Sequence, residues 1–295
     1  MGGIFVAKKL LTLLLIVVMT FALYTAALAE EKSINILLLG TDDLGEQVTG
    51  EEEMSRADAI YVLNLHPDTG LVKLLSIERD YLVTLPDGNG ENKLATATFF
   101  GGPELCMKMV NELLQLDITQ YAQVDIPKVV QAVDVIGGVD VEIHADEVAA
   151  INSFIDSLLD ETIPHVQEGM NHLNGNQLWA FIGNRDVSID AIESNKQRND
   201  RQQRAVKAGL QKLHGMTLDE AMEAVDKVLP FVNTNITISE ILSITEALHD
   251  SDADKFVYLR SPITDYSKKR VGFHKVIVAD NMEDEIAAVH EYLKK

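Results

Sequence analysis

The chain has 295 residues and a formal net charge of −21, a length that allows one large domain or two small ones. Such an acidic chain excludes non-specific nucleic-acid binding as its main activity, because phosphate backbones attract positively charged surfaces. Cys106 is the only cysteine, which excludes an intrachain disulfide bond and a zinc site built from cysteines.

The N-terminal 29 residues predict export from the cytoplasm. Lys8 and Lys9 precede an almost wholly apolar stretch at 10–29, which ends in a small-x-small pattern typical of a cleavage site. The stretch is also long enough to span a bilayer, for which roughly 20 apolar residues suffice. A cleaved signal peptide and an uncleaved membrane anchor both fit. Either one predicts an extracytoplasmic protein, membrane-anchored or secreted at the cell surface.

Three apolar runs in the first third of the chain predict β-strands. Residues 33–40 form a continuous apolar run that ends in glycine, which is typical of a buried parallel strand. Residues 59–65 and 71–77 flank a turn at 66–70 that contains proline, aspartate and glycine. We therefore expect the second and third strands to be antiparallel neighbours.

Apolar residues at helical spacing predict helices through the rest of the chain. These helices lie at 104–116, 127–136, 146–159, 173–182, 198–213 and 239–248, with a capping box at 217–220 and a terminal helix from 283. The first helix follows Gly101-Gly102-Pro103, and its apolar face would carry Leu105, Met109, Leu113 and Leu116. Short strands are predicted near 139–143, 255–263 and 271–279, and residues 183–196 read as a polar loop. Strands mixed with helices in this way predict a layered α/β domain.

Charged residues gather at the ends of the predicted strands. Asp42 follows the first strand, Asp58 precedes the second, and Arg79-Asp80 follows the third. Two carboxylates at such a site can hold Mg²⁺, and arginine suits bidentate recognition of phosphate. The cations that could neutralise phosphate oxygens here are Arg56, Arg79, Lys93, Arg185 and Arg198. The set predicts an electrostatic clamp for phosphoryl transfer, with ordinary turn residues and surface ion pairs as the alternative.

Eight short motifs between residues 34 and 213 form a specific combination. They are N-I-L-L-L-G-T-D (35–42), R-A-D-A-I (56–60), L-L-S-I-E-R-D (74–80), N-K-L (92–94), F-G-G-P-E-L (100–105), I-G-G-V-D-V (136–141), L-N-G-N-Q-L (173–178) and R-N-D-R-Q-Q (198–203). In this order they resemble the LytR-CpsA-Psr family, whose members attach teichoic acids, capsules and related glycopolymers to bacterial peptidoglycan.

The resemblance implies a three-layer α/β/α sandwich with a mixed central sheet at 30–214 and an α/β portion at 215–295 packed on it. It also implies an apolar tunnel that binds a polyprenyl chain. The helices 104–116, 127–136 and 146–159 are aliphatic enough to line it, although an ordinary hydrophobic core is the default interpretation of each. The reaction would move a glycosyl phosphate from an undecaprenyl-pyrophosphate carrier to a sugar hydroxyl of peptidoglycan. Mg²⁺ or Mn²⁺ would be the cofactor, and the bacterial cytoplasmic membrane would be a further partner.

The resemblance also assigns roles to individual residues. Asp42 and Asp58 would bind the metal, and Asp80 would help to deprotonate the acceptor hydroxyl. The phosphate-contacting residues would be Arg56, Arg79, Lys93, Arg185, Arg198, Arg201 and Gln202. The catalytic residues would be Arg79, Asp80, Arg185 and Arg198.

The chain departs from the family pattern at several positions. Gly183 stands where the family usually has arginine, Lys93-Leu94-Ala95 replaces K-I-N, and Glu78 stands where proline is common. These departures keep a second hypothesis open, a catalytically impaired protein of the same fold that binds a polyprenyl phosphate or wall polymer. A secreted interaction domain without a lipid ligand is the third. The basic run at 268–270 reads as a solvated turn, with anionic headgroups or wall polymer as alternative contacts.

Overall fold

The computed structural model describes residues 33–42, 56–183, 191–252 and 255–294. The predicted signal peptide or anchor at 1–29 lies outside these ranges. Within them, no helix has the length and apolar character needed to cross a membrane.

The described ranges form twelve strands and eight α-helices. The strands are β1 (Ile34–Asp42), β2 (Arg56–His66), β3 (Leu71–Ile77), β4 (Leu82–Leu85), β5 (Gly90–Lys93), β6 (Gln120–Asp125), β7 (Val139–Ile143), β8 (Gly169–Leu173), β9 (Asn233–Thr234), β10 (Val257–Ser261), β11 (Tyr266–Val271) and β12 (His274–Ala279). The helices are α1 (Ala97–Leu114), α2 (Ile126–Val135), α3 (Val148–Ser157), α4 (Gly175–Gly183), α5 (Ala191–His214), α6 (Leu218–Val228), α7 (Ile238–His249) and α8 (Met282–Lys294).

Six strands form one mixed sheet in the order β10-β3-β2-β1-β6-β9. The β2–β3 pair is antiparallel, as the turn at 66–70 predicts. β1 is parallel to β6 on one side and antiparallel to β2 on the other, so the expected parallel strand is parallel to one neighbour only. β9 and β10, from beyond residue 214, occupy the two edges of the sheet. The remaining strands form three two-stranded antiparallel sheets: the hairpins β4–β5 and β11–β12, and the pair β7–β8, whose strands are separated in sequence by α3.

The two faces of the sheet carry separate hydrophobic cores. Along β1, Leu37 and Leu39 pack in a core shared with α1 and α8, whereas Ile36 packs in a core that includes Leu210 of α5. This alternation follows from the two-residue side-chain period of a strand. α7 joins the second core through Ile244. One helical layer on each face confirms the predicted three-layer α/β/α sandwich.

A third hydrophobic core lies beside the sheet. It joins the β7–β8 sheet to α2, α3, α4 and α5, with Ile151, Leu173 and Phe181 almost fully buried. α2 begins at Ile126, one residue before the predicted start, and the Asp125 side chain caps it by accepting a hydrogen bond from the Lys128 N–H at 2.8 Å. The capping box predicted at 217–220 is also present at the start of α6.

Several element boundaries differ from the sequence prediction. α1 begins at Ala97, and non-helical backbone at Gly101 and Gly102 separates its first turn from the regular helix at Pro103. Its fully buried residues include Cys106, Met109, Val110 and Leu114. The predicted apolar face is confirmed, because Met109 is buried and Leu105, Leu113 and Leu116 are partly buried against the same core. α5 begins at Ala191, inside the stretch predicted to be a loop. The strands β4, β5, β6, β8, β9 and β11 were not predicted. The polar composition of 183–196 concealed the helix, because solvated helix faces are also polar.

Gly175, within the L-N-G-N-Q-L motif, packs against the backbone of α2. A Cβ at this position would overlap the Val130 carbonyl group. We therefore expect Gly175→Ala to lower the free energy of unfolding by about 1–3 kcal/mol in chemical denaturation. Gly209→Ala in α5 is the matched control, because nothing lies within 4 Å of a Cβ built there. Equal effects of the two substitutions would contradict this packing explanation.

Candidate functional site: a polar cleft joined to an apolar cavity

The ends of β1, β2 and β3 meet at one edge of the sheet. Asp42 pairs with Arg56, and the register then shifts between Gly40 and Thr41, so that Asp58 is an extra residue in β2. Such a β-bulge changes the direction of a side chain and is common beside functional sites. The bulge directs Asp58 toward the end of β3. The sequence pattern did not predict this bulge.

Two ion pairs link the segment after β3 to its neighbours. The Arg79 guanidinium pairs with Asp58, and the Asp80 carboxylate pairs with the Lys93 ammonium at 2.8 Å. The backbone sets this second pair, because the Ala95 N–H donates to the Arg79 carbonyl at 2.9 Å. The structure thus brings together four of the predicted site residues.

Arg260 is a further cation at this site that the sequence analysis missed. It lies on β10, opposite Ser76 of β3, and its guanidinium pairs with Glu78. Burial lowers the pKa of Arg260. No local signal could have placed it here, because the pairing of β10 with β3 joins residues that are far apart in sequence. Glu78, the residue in place of the family's common proline, therefore has a partner across the sheet.

These residues surround a polar cleft of about 90 Å³. It is lined by residues 58–61, 76–80, 198, 199, 202 and 260. Three of the lining side chains are arginines and three are carboxylates, so the charges of the lining are balanced. At its inner end the Tyr61 hydroxyl donates to Gln202 Oε1 at 2.7 Å, and burial raises the pKa of Tyr61. Tyr61 therefore remains a neutral phenol at physiological pH.

An apolar cavity of about 420 Å³ adjoins the polar cleft. It lies between the sheet and helices α2, α4 and α5, and its lining includes Leu38, Val124, Val133, Ile136, Leu178, Ile182, Ala205 and Val206. The cavity and the cleft share Ala59, Tyr61 and Gln202. Size and apolar lining are typical of a ligand pocket.

Only one of the three candidate helices for the apolar tunnel lines this cavity. α2 does so, but α1 packs on the opposite face of the sheet and α3 packs in the third core. α4, α5 and Val228 at the end of α6 form the remaining helical wall. For α1 and α3 the default interpretation, an ordinary hydrophobic core, is therefore the correct one. The sequence does not distinguish the two cases, because every amphipathic helix presents an apolar stripe, whether it faces a core or a cavity.

Not every predicted site residue lines the cleft. Lys93 contacts the cleft only through its ion pair with Asp80, and Arg56 is exposed at the first position of β2 and does not line the cleft. Arg185 and the side chain of Asp42 lie outside the described residues.

Arg201 is the clearest correction among the predicted phosphate contacts. Its side chain is 4% exposed, its Nε donates to the Phe181 carbonyl at 2.7 Å, and its Nη1 lies 3.7 Å from Glu147 Oε1. Burial lowers the pKa of Arg201. Arg198 and Gln202 are four residues apart and share the helix face toward the cleft, whereas Arg201 faces the third core.

The Glu78 carboxylate pairs with Arg260 and so competes with an anionic ligand for this guanidinium group. We expect Glu78→Gln to release Arg260 and to lower the Kd for inorganic pyrophosphate by roughly 3–10-fold, measured by isothermal titration calorimetry. Glu161→Gln removes the same charge from an exposed position outside the cleft and should leave the Kd unchanged. Identical Kd values for the two variants would contradict competition at Arg260.

Comparison with known proteins places the chain in a sequence family. The model of the LytR_cpsA_psr family matches residues 19–294. Biofilm regulatory protein A of Streptococcus mutans is 28% identical over 237 residues, which cover 78% of this chain and 56% of that protein. Polyisoprenyl-teichoic acid–peptidoglycan teichoic acid transferase TagU of Oceanobacillus iheyensis is 27% identical over 73% of this chain and 62% of its own length. The chain thus spans little more than half the length of these curated relatives.

A solved structure shares the fold. TagT of Bacillus subtilis, with bound octaprenyl pyrophosphate lipid, superposes with a TM-score of 0.63 at 19% identity and covers 90% of this chain. The α/β architecture predicted from the sequence is therefore that of known family structures. Because the family model matches most of the sequence, the resemblance carried by the eight motifs is confirmed: the chain belongs to the LytR-CpsA-Psr family.

Proposed function

We propose that this protein is an extracytoplasmic transferase that moves a phosphate-linked glycopolymer from a polyprenyl-pyrophosphate carrier to peptidoglycan at the bacterial cell surface. The observation that carries the proposal is the continuity of the polar cleft with the apolar cavity through Ala59, Tyr61 and Gln202. A carrier of this class joins a long apolar chain to a charged headgroup. The relative TagU is named as a teichoic acid transferase, which supports the same substrate class here.

The arginines of the cleft are suited to the carrier's diphosphate. Arg79 and Arg260 are each paired with a carboxylate, and a diphosphate would replace those carboxylates as the hydrogen-bond acceptor. Planar guanidinium groups bind phosphate oxygens in pairs, which fixes the orientation of the phosphorus as well as neutralising charge. Arg198 lines the same cleft from α5. These groups would stabilise the charge that develops on the transferred phosphoryl group.

Mg²⁺ (or Mn²⁺) is the cofactor that the carboxylates of this edge would hold. Asp58 projects from the bulge in β2, and Asp42 ends the neighbouring strand. No group of three or more metal-ligating side chains occurs among the described residues, but Mg²⁺ commonly binds one or two carboxylates and completes its shell with water and phosphate oxygens. The donor set therefore fits this ion. Bound there, Mg²⁺ would polarise the phosphoryl oxygens of the substrate.

Asp80 is the proposed acceptor of the proton from the incoming hydroxyl. Its side chain is 32% exposed, so an acceptor sugar can approach it from solvent. The acceptor oxygen would bond to the phosphorus that carries the glycopolymer while its proton passes to Asp80. The bond from that phosphorus to the bridging oxygen would break, and polyprenyl phosphate would leave along the apolar cavity.

A binding protein of the same fold is the second candidate. It is favoured by the Glu78–Arg260 pair, which neutralises one cleft cation, and by Gly183, which supplies no cation. Such a protein would hold a polyprenyl phosphate or wall polymer without turnover. The next two experiments separate binding from catalysis.

Arg79 should be required for turnover. We expect Arg79→Ala to lower the rate of phosphate-bond cleavage of a short polyprenyl pyrophosphate by at least about 100-fold. Arg79→Lys should have an intermediate rate, because lysine keeps the positive charge but lacks the planar guanidinium group that donates two hydrogen bonds to one phosphate. A chelator should abolish the same activity, and Mg²⁺ should restore it. Lys108→Ala, at an exposed position of α1, is the control for charge removal. Undiminished turnover in Arg79→Ala would contradict the transferase mechanism, whereas saturable lipid binding without any turnover would favour the binding protein.

The apolar cavity should be required for lipid binding. Ala205 lines the cavity, so Ala205→Trp should fill it and weaken binding of a polyprenyl phosphate by at least about tenfold. Ala149→Trp places the same side chain on the exposed side of α3 and should bind normally. Thermal unfolding of both variants controls for misfolding. Unchanged lipid binding in a folded Ala205→Trp variant would exclude the cavity as the lipid site.

A further inference from the structure

The β11–β12 hairpin concentrates positive charge in an otherwise acidic chain. Four of the 25 lysines and arginines lie within residues 268–275, and this segment contains no acidic residue. They are Lys268, Lys269, Arg270 and Lys275, and all four are exposed. Within the described part of the chain, none of the four is paired with a carboxylate. Their positive charge is therefore available to a partner outside the chain.

The strand register places like charges directly opposite each other. Arg270 pairs with Lys275 across the hairpin, and Lys268 precedes Arg270 by two residues on the same face. Like charges directly opposite in an antiparallel pair destabilise it. An anionic partner would remove this repulsion. If the segment is only a solvated turn, the repulsion remains.

The tip of the hairpin presents a large apolar side chain to solvent. The strands are joined by Gly272 and Phe273, and Gly272 has a φ of 56°, which suits the first position of a two-residue hairpin turn. Phe273 is 99% exposed. A single exposed apolar residue is ordinary on a protein surface, but Phe273 lies at the tip of a hairpin whose strands carry four cations. Apolar tips flanked by lysine and arginine are typical of segments that bind the bilayer interface.

The base of the hairpin is attached to the polar cleft. The Ile277 N–H donates to the Asp80 carbonyl at 2.8 Å, and Ile277 forms a parallel bridge with Tyr81. Phe273 is four residues from Ile277, which corresponds to about 13 Å along an extended strand. A surface that binds the tip therefore lies close to the cleft.

We propose that the β11–β12 hairpin docks the protein on an anionic phospholipid bilayer, with Phe273 in the interface and the four cations on lipid phosphates. A soluble polyanion would satisfy the cations but offers no apolar phase for Phe273, so the combination favours a bilayer. Docking by this hairpin does not depend on the reaction. It therefore stands or falls separately from the transferase proposal.

A reporter beside the tip tests the proposal in the full chain. His274→Cys is labelled with a polarity-sensitive fluorophore, and Cys106 does not compete because it is fully buried and burial raises the pKa of its thiol to about 12. Vesicles of phosphatidylcholine are compared with vesicles that also contain phosphatidylglycerol. We expect a blue shift and quenching by a lipid-borne quencher only with the anionic lipid. Replacing Lys268 and Arg270 with serine should lower the inserted-to-free ratio roughly fivefold per charge.

The matched control is Asp160→Cys, labelled in the same way. It lies beside Leu159, which is 91% exposed but has acidic neighbours, so this reporter should remain in water. Phe273→Ser should abolish the quenching at position 274. The proposal is overturned if the reporter at 274 responds no more than the one at 160, or if the serine variants insert equally well. It is also overturned if a soluble glycerol-phosphate polymer shields the reporter and vesicles do not.

Discussion

The backbone of residues 78–81 is the constraint on which the candidate site depends. The Glu78 N–H donates to Ser261 at 3.0 Å, and the carbonyls of Arg79, Asp80 and Tyr81 accept from Ala95, Ile277 and Leu94 at 2.8–2.9 Å. These bonds join the end of β3 to β10, to the segment after β5 and to β12. Because the backbone is held on several sides, the adjacent charged side chains diverge toward different partners. The cleft thus owes its geometry to hydrogen bonds rather than to its own ion pairs.

The ion pairs of the cleft describe a site prepared for an anion. Arg79 is paired with Asp58 and Arg260 with Glu78, so the guanidinium groups are oriented and partly desolvated before any ligand arrives. Partly exposed pairs of this kind contribute little to stability, about 0–1 kcal/mol each, so exchanging a carboxylate for a phosphate oxygen is not costly. The apolar cavity then provides what a simple phosphate site lacks, a volume lined by apolar side chains next to the charges.

The sequence predicts the features that depend on neighbouring residues, but not those that depend on residues far apart in the chain. The strands at 59–65 and 71–77, the position of Arg79-Asp80 at the end of β3 and the capping box of α6 follow from periodicity and short-range chemistry. Arg260 reaches the cleft only through the β3–β10 pairing, and Asp58 through a bulge, neither of which leaves a local pattern. Arg201 was predicted to contact phosphate because it belongs to the same motif as Arg198 and Gln202. A motif shows only which residues occur together, whereas the position of each residue around the helix decides which of them face the cleft. The walls of the apolar cavity could not be predicted for the same reason.

If the cleft and the cavity form one site for a polyprenyl pyrophosphate, a crystal structure with such a lipid and Mg²⁺ will show the lipid in both. We expect the apolar chain to lie between α2, α4 and α5 and the diphosphate to displace Asp58 from Arg79. A lipid bound elsewhere, with the cavity empty and the Arg79–Asp58 pair intact, would contradict this expectation.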